Sequence, residues 1–274
     1  MTEPTEYYNK FQKKLLTDYL NGNPRATSAI QEMIDRKPQS AKNVLEIGCG
    51  IGWASYYLHR NFRDIKIVAV DLSNKSIDIA KKIFSAQNII YQQKDVTQAD
   101  FDLNEKFDYI VMLDVFEHIH QEHRQSFIEA LMKISSEDCH YFFSCPTKYH
   151  QDFLKINKPE GLQPVDESIS LAEMVDFAVK SGGEVVYFEN KAIWNTNDYF
   201  HCLIAKKVKY VDIKYRTKQI PFETRKERIA RVFSSEIRDY FDDHEKQSFE
   251  YSYLSKRLKT KANKFIWKIL QYFK

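Results

Sequence analysis

The chain has 274 residues, 43% of them hydrophobic and 29% charged, enough for one sizeable core and too balanced a composition for a disordered polymer. No stretch approaches the roughly 20 apolar residues that cross a bilayer, and the opening Met1-Thr2-Glu3-Pro4 is too polar for a secretory signal, so a cytoplasmic protein is expected. Cys49, Cys139, Cys145 and Cys202 form no C-x-x-C pair, which argues for free thiols and against a zinc or disulfide framework.

In chain order, Asn23-Pro24 reads as an N-cap followed by proline at the first helical position. Ile30, Met33 and Ile34 then recur at helical spacing, and Pro38-Gln39-Ser40 ends that element. Short apolar runs follow at Val44–Ile47, Ile67–Val70, Ile89–Tyr91, Tyr109–Leu113 and Tyr141–Ser144, with amphipathic stretches near 53–60, 75–85 and 122–135 between them. Two further strands fit Glu184–Glu189 and His201–Ala205. This cadence predicts an α/β, Rossmann-like, seven-stranded and mostly parallel sheet with helices on both faces. Residues 1–37 are expected as an N-terminal helical lid in which Tyr7, Tyr8 and Phe11 cover the site. Residues 38–207 would form the main domain and 208–274 a helical extension.

Three of only seven glycines, Gly48, Gly50 and Gly52, fall in Val44-Leu45-Glu46-Ile47-Gly48-Cys49-Gly50-Ile51-Gly52, after one strand and before a helix. Glycine there permits a sharp turn and close approach of backbone to ligand. A dinucleotide fingerprint would place a third close-packing glycine where Trp53 stands. Glu46 would also repel a pyrophosphate while suiting a cation, so a nicotinamide oxidoreductase is disfavoured. Acidic residues recur at the following strand ends: Asp71, 23 residues past Gly48, then Asp95-Val96, then Asp114. At such positions a carboxylate accepts ribose hydroxyls or an adenine amino group. Alone, each would also serve as a loop cap.

Taken together over about residues 42–147, these elements resemble the class I S-adenosylmethionine (SAM)-dependent methyltransferase family. Phe107-Asp108-Tyr109-Ile110-Val111-Met112-Leu113-Asp114-Val115-Phe116-Glu117-His118-Ile119 is similar to the fourth-strand motif of its small-molecule branch. The resemblance implies SAM as cofactor, with Glu46, Gly48, Cys49, Gly50 and Gly52 along its methionine part. It places Asp71 and Leu72 at the ribose, Asp95 and Val96 at the adenine, and Asp114 with Val115 beside the sulfonium. Methyl transfer is an in-line displacement that needs alignment and exclusion of water. A hydroxyl acceptor also needs a base, for which His118, behind Glu117, is the first candidate. The same histidine could equally orient its loop, and Glu117 with His118 could place a metal; no metal is expected. Tyr8, His150, Asp166, Trp194 and Tyr199 are candidate acceptor contacts. Gln163–Glu167 and Trp194–Tyr199 are similar to segments of bacterial methyltransferases that accompany surface-polysaccharide glycosyltransferases. That implies a small-molecule or glycan acceptor.

No Asn/Asp-Pro-Pro-Tyr/Phe follows the fourth strand, and Pro146 follows Cys145 rather than preceding it, so methylation of DNA bases is disfavoured and no DNA partner is expected. Residues 1–205 carry 22 Lys/Arg against 29 Asp/Glu, whereas residues 206–274 carry 19 against 9. Such a basic block suits anionic partners. Within Lys261–Lys274, Phe265, Ile266, Ile269, Leu270 and Phe273 share one helical face opposite Lys261, Lys264, Lys268 and Gln271. Residues 256–274 therefore either lie on an anionic membrane at its inner face, dock on the body, or join a homodimer. An RNA or protein methyltransferase gripping substrate with this tail, and a non-catalytic SAM-binding module, are the alternative functions.

Overall fold

Runs rich in Val, Ile and aromatic residues form seven strands in the computed structural model, which describes residues 7–98, 100–207, 221–246 and 248–249. They are β1 (Asn43–Ile47), β2 (Lys66–Asp71), β3 (Ile89–Gln93), β4 (Phe107–Leu113), β5 (Ser135–Pro146), β6 (Glu184–Lys191) and β7 (Tyr199–Ala205). One sheet contains them all, in the order β3-β2-β1-β4-β5-β7-β6. Neighbours pair parallel except at β7, which runs antiparallel to both β5 and β6. β2 lies on one side of β1 and β4 on the other, so the order reverses at β1. The carboxyl ends of the strands beside such a switch point are where open α/β sheets bind ligands.

Among the described residues, the sheet is accompanied by helices α1 (Gln12–Asn21), α2 (Pro24–Asp35), α3 (Trp53–Asn61), α4 (Asn74–Ile83), α5 (Arg124–Ile134), α6 (Lys148–Asn157), α7 (Leu171–Lys180) and α8 (Arg225–Phe233). Asn23 caps α2 by accepting from the Arg25 N–H, with Pro24 behind it as expected. The pleat sorts successive side chains to opposite faces. Val44, Ile67, Ala69, Tyr109 and Val111 join a core with α1 to α4. Leu45, Ile47, Val68, Val70, Ile110 and Met112 join a second core with α5 and α7. Both faces of the sheet are thus covered, which is why the central strands read as unbroken apolar runs.

The structure departs from the expected elements in two places. β5 begins at Ser135 rather than Tyr141, because Ser135 pairs with Phe107 across a register shift although Ser135-Ser136-Glu137-Asp138 carries no apolar alternation. The segments after β5 contain α6 and α7, which the apolar pattern did not announce. α7 opens on a capping box between Ser170 and Glu173.

α1 and residues 223–241 meet on one side of the sheet. Leu16, Tyr19 and Leu20 of α1 share a core with Val232, Ile237 and Phe241. Glu223, nearly buried, organises the polar contacts between them. Tyr19 Oη donates to its Oε2 at 2.6 Å, and Arg231 donates to Oε1 from Nε and Nη2 at 3.0 and 2.6 Å. The expected amphipathic segment 256–274 lies outside the described residues, and among the described residues no helix is long and apolar enough to cross a membrane. Because Glu223→Ala removes the shared acceptor of the buried Tyr19 hydroxyl and the half-buried Arg231 guanidinium, urea denaturation should show a loss of about 1.5–3 kcal/mol, with a smaller loss for Glu223→Gln.

Candidate active site

β1 runs directly into the glycine loop. Gly48, Gly50 and Gly52 have φ of 68°, 52° and 87°, a region where a Cβ is costly. A Cβ on Gly48 would lie 2.3 Å from Val115 Cγ2, and one on Gly52 would lie 2.6 Å from Tyr91 Oη, whereas one on Gly50 would meet only Leu15 Cδ1 at 3.3 Å. The loop is thus clamped by Val115 and Tyr91 at its ends and faces Leu15 of α1 at its centre. The Cys49 N–H bonds Val70 O at 3.0 Å. The Gly50 N–H donates to Asp71 Oδ2 at 2.8 Å, and the Ser73 N–H to Asp71 Oδ1 at 2.8 Å. Burial raises the Asp71 pKa, and these two N–H groups oppose the rise.

Strand alternation turns Glu46 to the α3 side, beside Val44, where it is buried. Ser55 of α3 donates a hydroxyl hydrogen bond to its Oε2. Burial pushes this carboxyl up to about 7, although the Ser55 contacts pull it down and Asp71 adds to the rise. Cys49 is also buried, and its thiol is held well above the usual range, so it stays neutral.

Leu72 is half-buried and its carbonyl accepts from Gln93 Nε2 at 3.2 Å. Asp95 closes its own turn: Oδ1 accepts from the Thr97 N–H and Oγ1 at 3.0 and 2.6 Å, and Oδ2 accepts from Gln98 Nε2 at 2.7 Å. Partial burial would raise its pKa, but these bonds outweigh that and leave it lowered. Val96 packs against the α5-side core.

The β4 exit carries the other half of the site. Asp114 sits at φ 55° and pairs through Oδ2 with Arg25 Nη1 of α2 at 2.9 Å. Arg25 also donates to Tyr199 Oη at 3.5 Å. Asp114 Oδ1, Arg25 Nε and Glu117 Oε2 are buried without a hydrogen-bond partner. Burial raises the pKa of Asp114 despite Arg25, and raises that of Glu117 further with Asp114 adding to it. His118 Nδ1 lies 2.7 Å from the Val165 carbonyl and 3.3 Å from Asp166 Oδ1. A carbonyl only accepts, so Nδ1 carries the hydrogen and Nε2 keeps its lone pair. Burial lowers the His118 pKa, which keeps the ring neutral, although Val165 and Asp166 oppose the shift. Asp166 is held in turn by Gln151 Nε2 at 3.3 Å and the Gln163 N–H at 2.7 Å.

Tyr8 covers this cluster. Its ring is 6.3 Å from that of His118, and burial, followed by nearby Glu117 and Asp166, keeps its phenol protonated. Gln12 fixes the covering segment, donating to Tyr8 O at 2.6 Å and to Ser73 Oγ at 3.1 Å. The His150 ring lies 5.6 Å from that of Tyr199, inclined at 43°, and Trp194 meets Tyr199 edge-on at 6.0 Å. Trp194 itself is 51% exposed, at the rim.

The strand tips therefore bring Glu46, the three glycines, Asp71, Asp114, Val115, Glu117, His118, Tyr8, Asp166 and Tyr199 into one region. Asp95 and Trp194 lie at its margins. Sequence reasoning missed Arg25 and Gln12, whose partners Asp114 and Ser73 are distant along the chain, and Ser55 and Gln151, whose partners Glu46 and Asp166 are nearer but lie on other elements. Only Arg25, in the first turn of a capped helix, stood next to a visible signal.

Residues 44–138 match the family model described as a methyltransferase domain. Over 110 residues the chain is 27% identical to malonyl-[acyl-carrier protein] O-methyltransferase of Acetivibrio thermocellus, covering 40% of this chain and 34% of that protein. Over 100 residues it is 33% identical to phosphoethanolamine N-methyltransferase 3 of Arabidopsis thaliana, covering 36% and 20%. The chain thus spans about a third or less of these curated relatives. Among solved structures, the complex of DhpI with S-adenosylhomocysteine superposes with a TM-score of 0.56 at 16% identity, over 73% of this chain and 94% of that one, a likeness of fold. Gly48→Ala combines a left-handed φ with the Val115 clash and should cost about 1–3 kcal/mol in chemical denaturation, relieved in part by a second change of Val115→Ala.

Proposed function

We propose that the chain, whose residues 44–138 match the methyltransferase-domain model, is a class I SAM-dependent methyltransferase that transfers a methyl group from SAM to a hydroxyl of a small-molecule or glycan acceptor. The residues at the strand tips fit this cofactor. The loop carries no lysine or arginine for a phosphate, while Glu46 and Asp71 flank it with carboxylates. Gly48, Cys49, Gly50 and Gly52 would line the methionine part, Asp71 and Leu72 the ribose, Asp95 and Val96 the adenine, and Asp114 with Val115 the sulfonium end. Bound there, SAM supplies an electrophilic methyl on a positively charged sulfur.

The observation that carries the oxygen reading is His118. Its Nδ1–H is spent on the Val165 carbonyl, so Nε2 is the free basic atom, on a ring that burial keeps neutral. In this reading Nε2 takes the proton of the acceptor hydroxyl as the oxygen attacks, and Asp166 holds the ring in that tautomer. Tyr8 and α1 exclude water from the reacting atoms, which strengthens every charge interaction inside. Arg25 steadies Asp114 so that its second oxygen faces inward. Exposed Trp194 at the rim provides an aromatic face on which a sugar ring can stack, held edge-on by the buried Tyr199.

Tritium transfer from labelled SAM to a panel of hydroxylated acceptors tests the reading. His118→Ala should lower kcat by about 10²–10⁴-fold while leaving affinity for S-adenosylhomocysteine unchanged. The base works only when neutral, and burial lowers its pKa from the ordinary 6.5. Wild-type kcat should therefore rise with pH through a midpoint below 6.5 and then level off. Asp71→Ala should weaken SAM binding by about 10–100-fold in calorimetry, the loss expected for hydrogen bonds to a charged group. Unaltered SAM affinity in that variant would refute the assignment of the site.

A further inference from the structure

α6 starts at the tip of β5 and turns a polar residue inward. Gln151, one turn into the helix, donates its N–H to the carbonyl of the N-cap Thr147. Helical side chains lean back toward the N-terminus, so its amide projects over the strand tip. It is the buried residue of α6, 1% exposed. Nε2 donates to Asp166 Oδ1 at 3.3 Å, while Oε1 is buried with no hydrogen-bond partner. A half-satisfied buried amide costs stability. A residue kept for packing alone would be apolar at this position.

Asp166 stands between Gln151 and His118. Its Oδ2 accepts from the Gln163 N–H at 2.7 Å, and its Oδ1 lies 3.3 Å from His118 Nδ1. The Val165 carbonyl is nearer to the same Nδ1, at 2.7 Å. The Glu167 N–H bonds the Glu117 carbonyl at 2.8 Å, so the segment carrying Val165 and Asp166 is pinned to the His118 loop. One Nδ1–H therefore faces two acceptors. Gln151 donates to the very oxygen of Asp166 that competes for it, and a carboxylate oxygen that already accepts a hydrogen bond is the less basic for it.

We propose that Gln151 is a positioning residue for His118: acting through Asp166, it keeps the Nδ1–H on the Val165 carbonyl and so leaves Nε2 turned to the acceptor. This rests on the reading of His118 as the base. The charged and titratable groups that face the ring are Asp114 and Glu117 of its own loop, Asp166, Arg25 of α2 and Tyr8 ahead of α1. On α6, His150 also feels Asp166. Among all these, Gln151 hydrogen-bonds Asp166 alone, so its removal reaches the ring by that route.

The test is NMR titration of the histidine rings in the full chain, with His118→Ala assigning the signal. Asp166 acts to raise the His118 pKa against burial. Without the Gln151 donor, Oδ1 draws the Nδ1–H harder, so Gln151→Met should move the His118 midpoint up by about 0.5 pH or more. Asp166→Ala should move it down. Adding Gln151→Met to Asp166→Ala should change nothing further, because the route is gone. The melting temperature of Gln151→Met should be no lower than that of the wild type, and its affinity for S-adenosylhomocysteine should be unchanged. An unmoved midpoint in Gln151→Met would overturn the proposal. So would shifts that add in the double variant, or a loss of fold or of S-adenosylhomocysteine affinity in Gln151→Met, which would make the residue structural. Tritium transfer to the hydroxylated panel separates the two readings. Wild-type kcat in His118→Ala removes the base and overturns both, whereas a lowered kcat there with an unmoved Gln151→Met midpoint overturns this proposal alone.

Discussion

One carboxylate ties the loops of the site together. Asp71, at the tip of β2, accepts the Gly50 N–H from the loop after β1 and the Ser73 N–H from its own turn. Both loops must pass the same point in space, and a charged acceptor between two backbone donors holds them there more firmly than a neutral one would. A carboxylate has about four acceptor positions, so Asp71 holds the glycine loop and still has lone pairs to offer a ligand's hydroxyls. The three left-handed glycines then follow as a requirement, since the chain must turn beneath this anchor while touching Val115 on one side and Tyr91 on the other.

The electrostatics of the site follow from burial. Cys49 and Tyr8 are held neutral by desolvation, and the His118 ring likewise keeps its uncharged form. Asp114 keeps an ion pair because α2 delivers Arg25 to it. The carboxylates that remain, and the lone pair on His118, are therefore aimed at whatever occupies the region. In a low-dielectric setting such fixed groups act strongly on a cation or on a hydroxyl losing its proton.

Much of this was legible in the sequence, and the exceptions share a cause. β1, β2 and β4 were readable because strands buried on both faces are apolar throughout, and Gly48, Gly50, Gly52 and Asp71 because their geometry is set within one βαβ unit. His118 was visible by position, but its tautomer depends on Val165, 47 residues away. Arg25 meets Asp114 and Ser55 meets Glu46 through the packing of helices on the sheet, which no local pattern encodes. The start of β5 is paired by Phe107 against polar residues that would not form a strand unaided. α6 escaped notice because reading a helix from apolar periodicity assumes the apolar side is inward, and here the inward side carries Gln151.

The bond between Tyr19 and Glu223 joins residues 204 positions apart. Ring closure over such a span carries a large entropic cost before any contact rewards it, and high contact order slows folding. On the ribosome, α1 emerges 204 residues ahead of the glutamate that anchors it. Leu16 and Leu20 therefore wait through most of synthesis without the neighbours that later shield them, and the nascent chain carries a sticky amphipathic helix for that whole interval. Holdase chaperones that recognise exposed leucines would find a target in α1 during that interval.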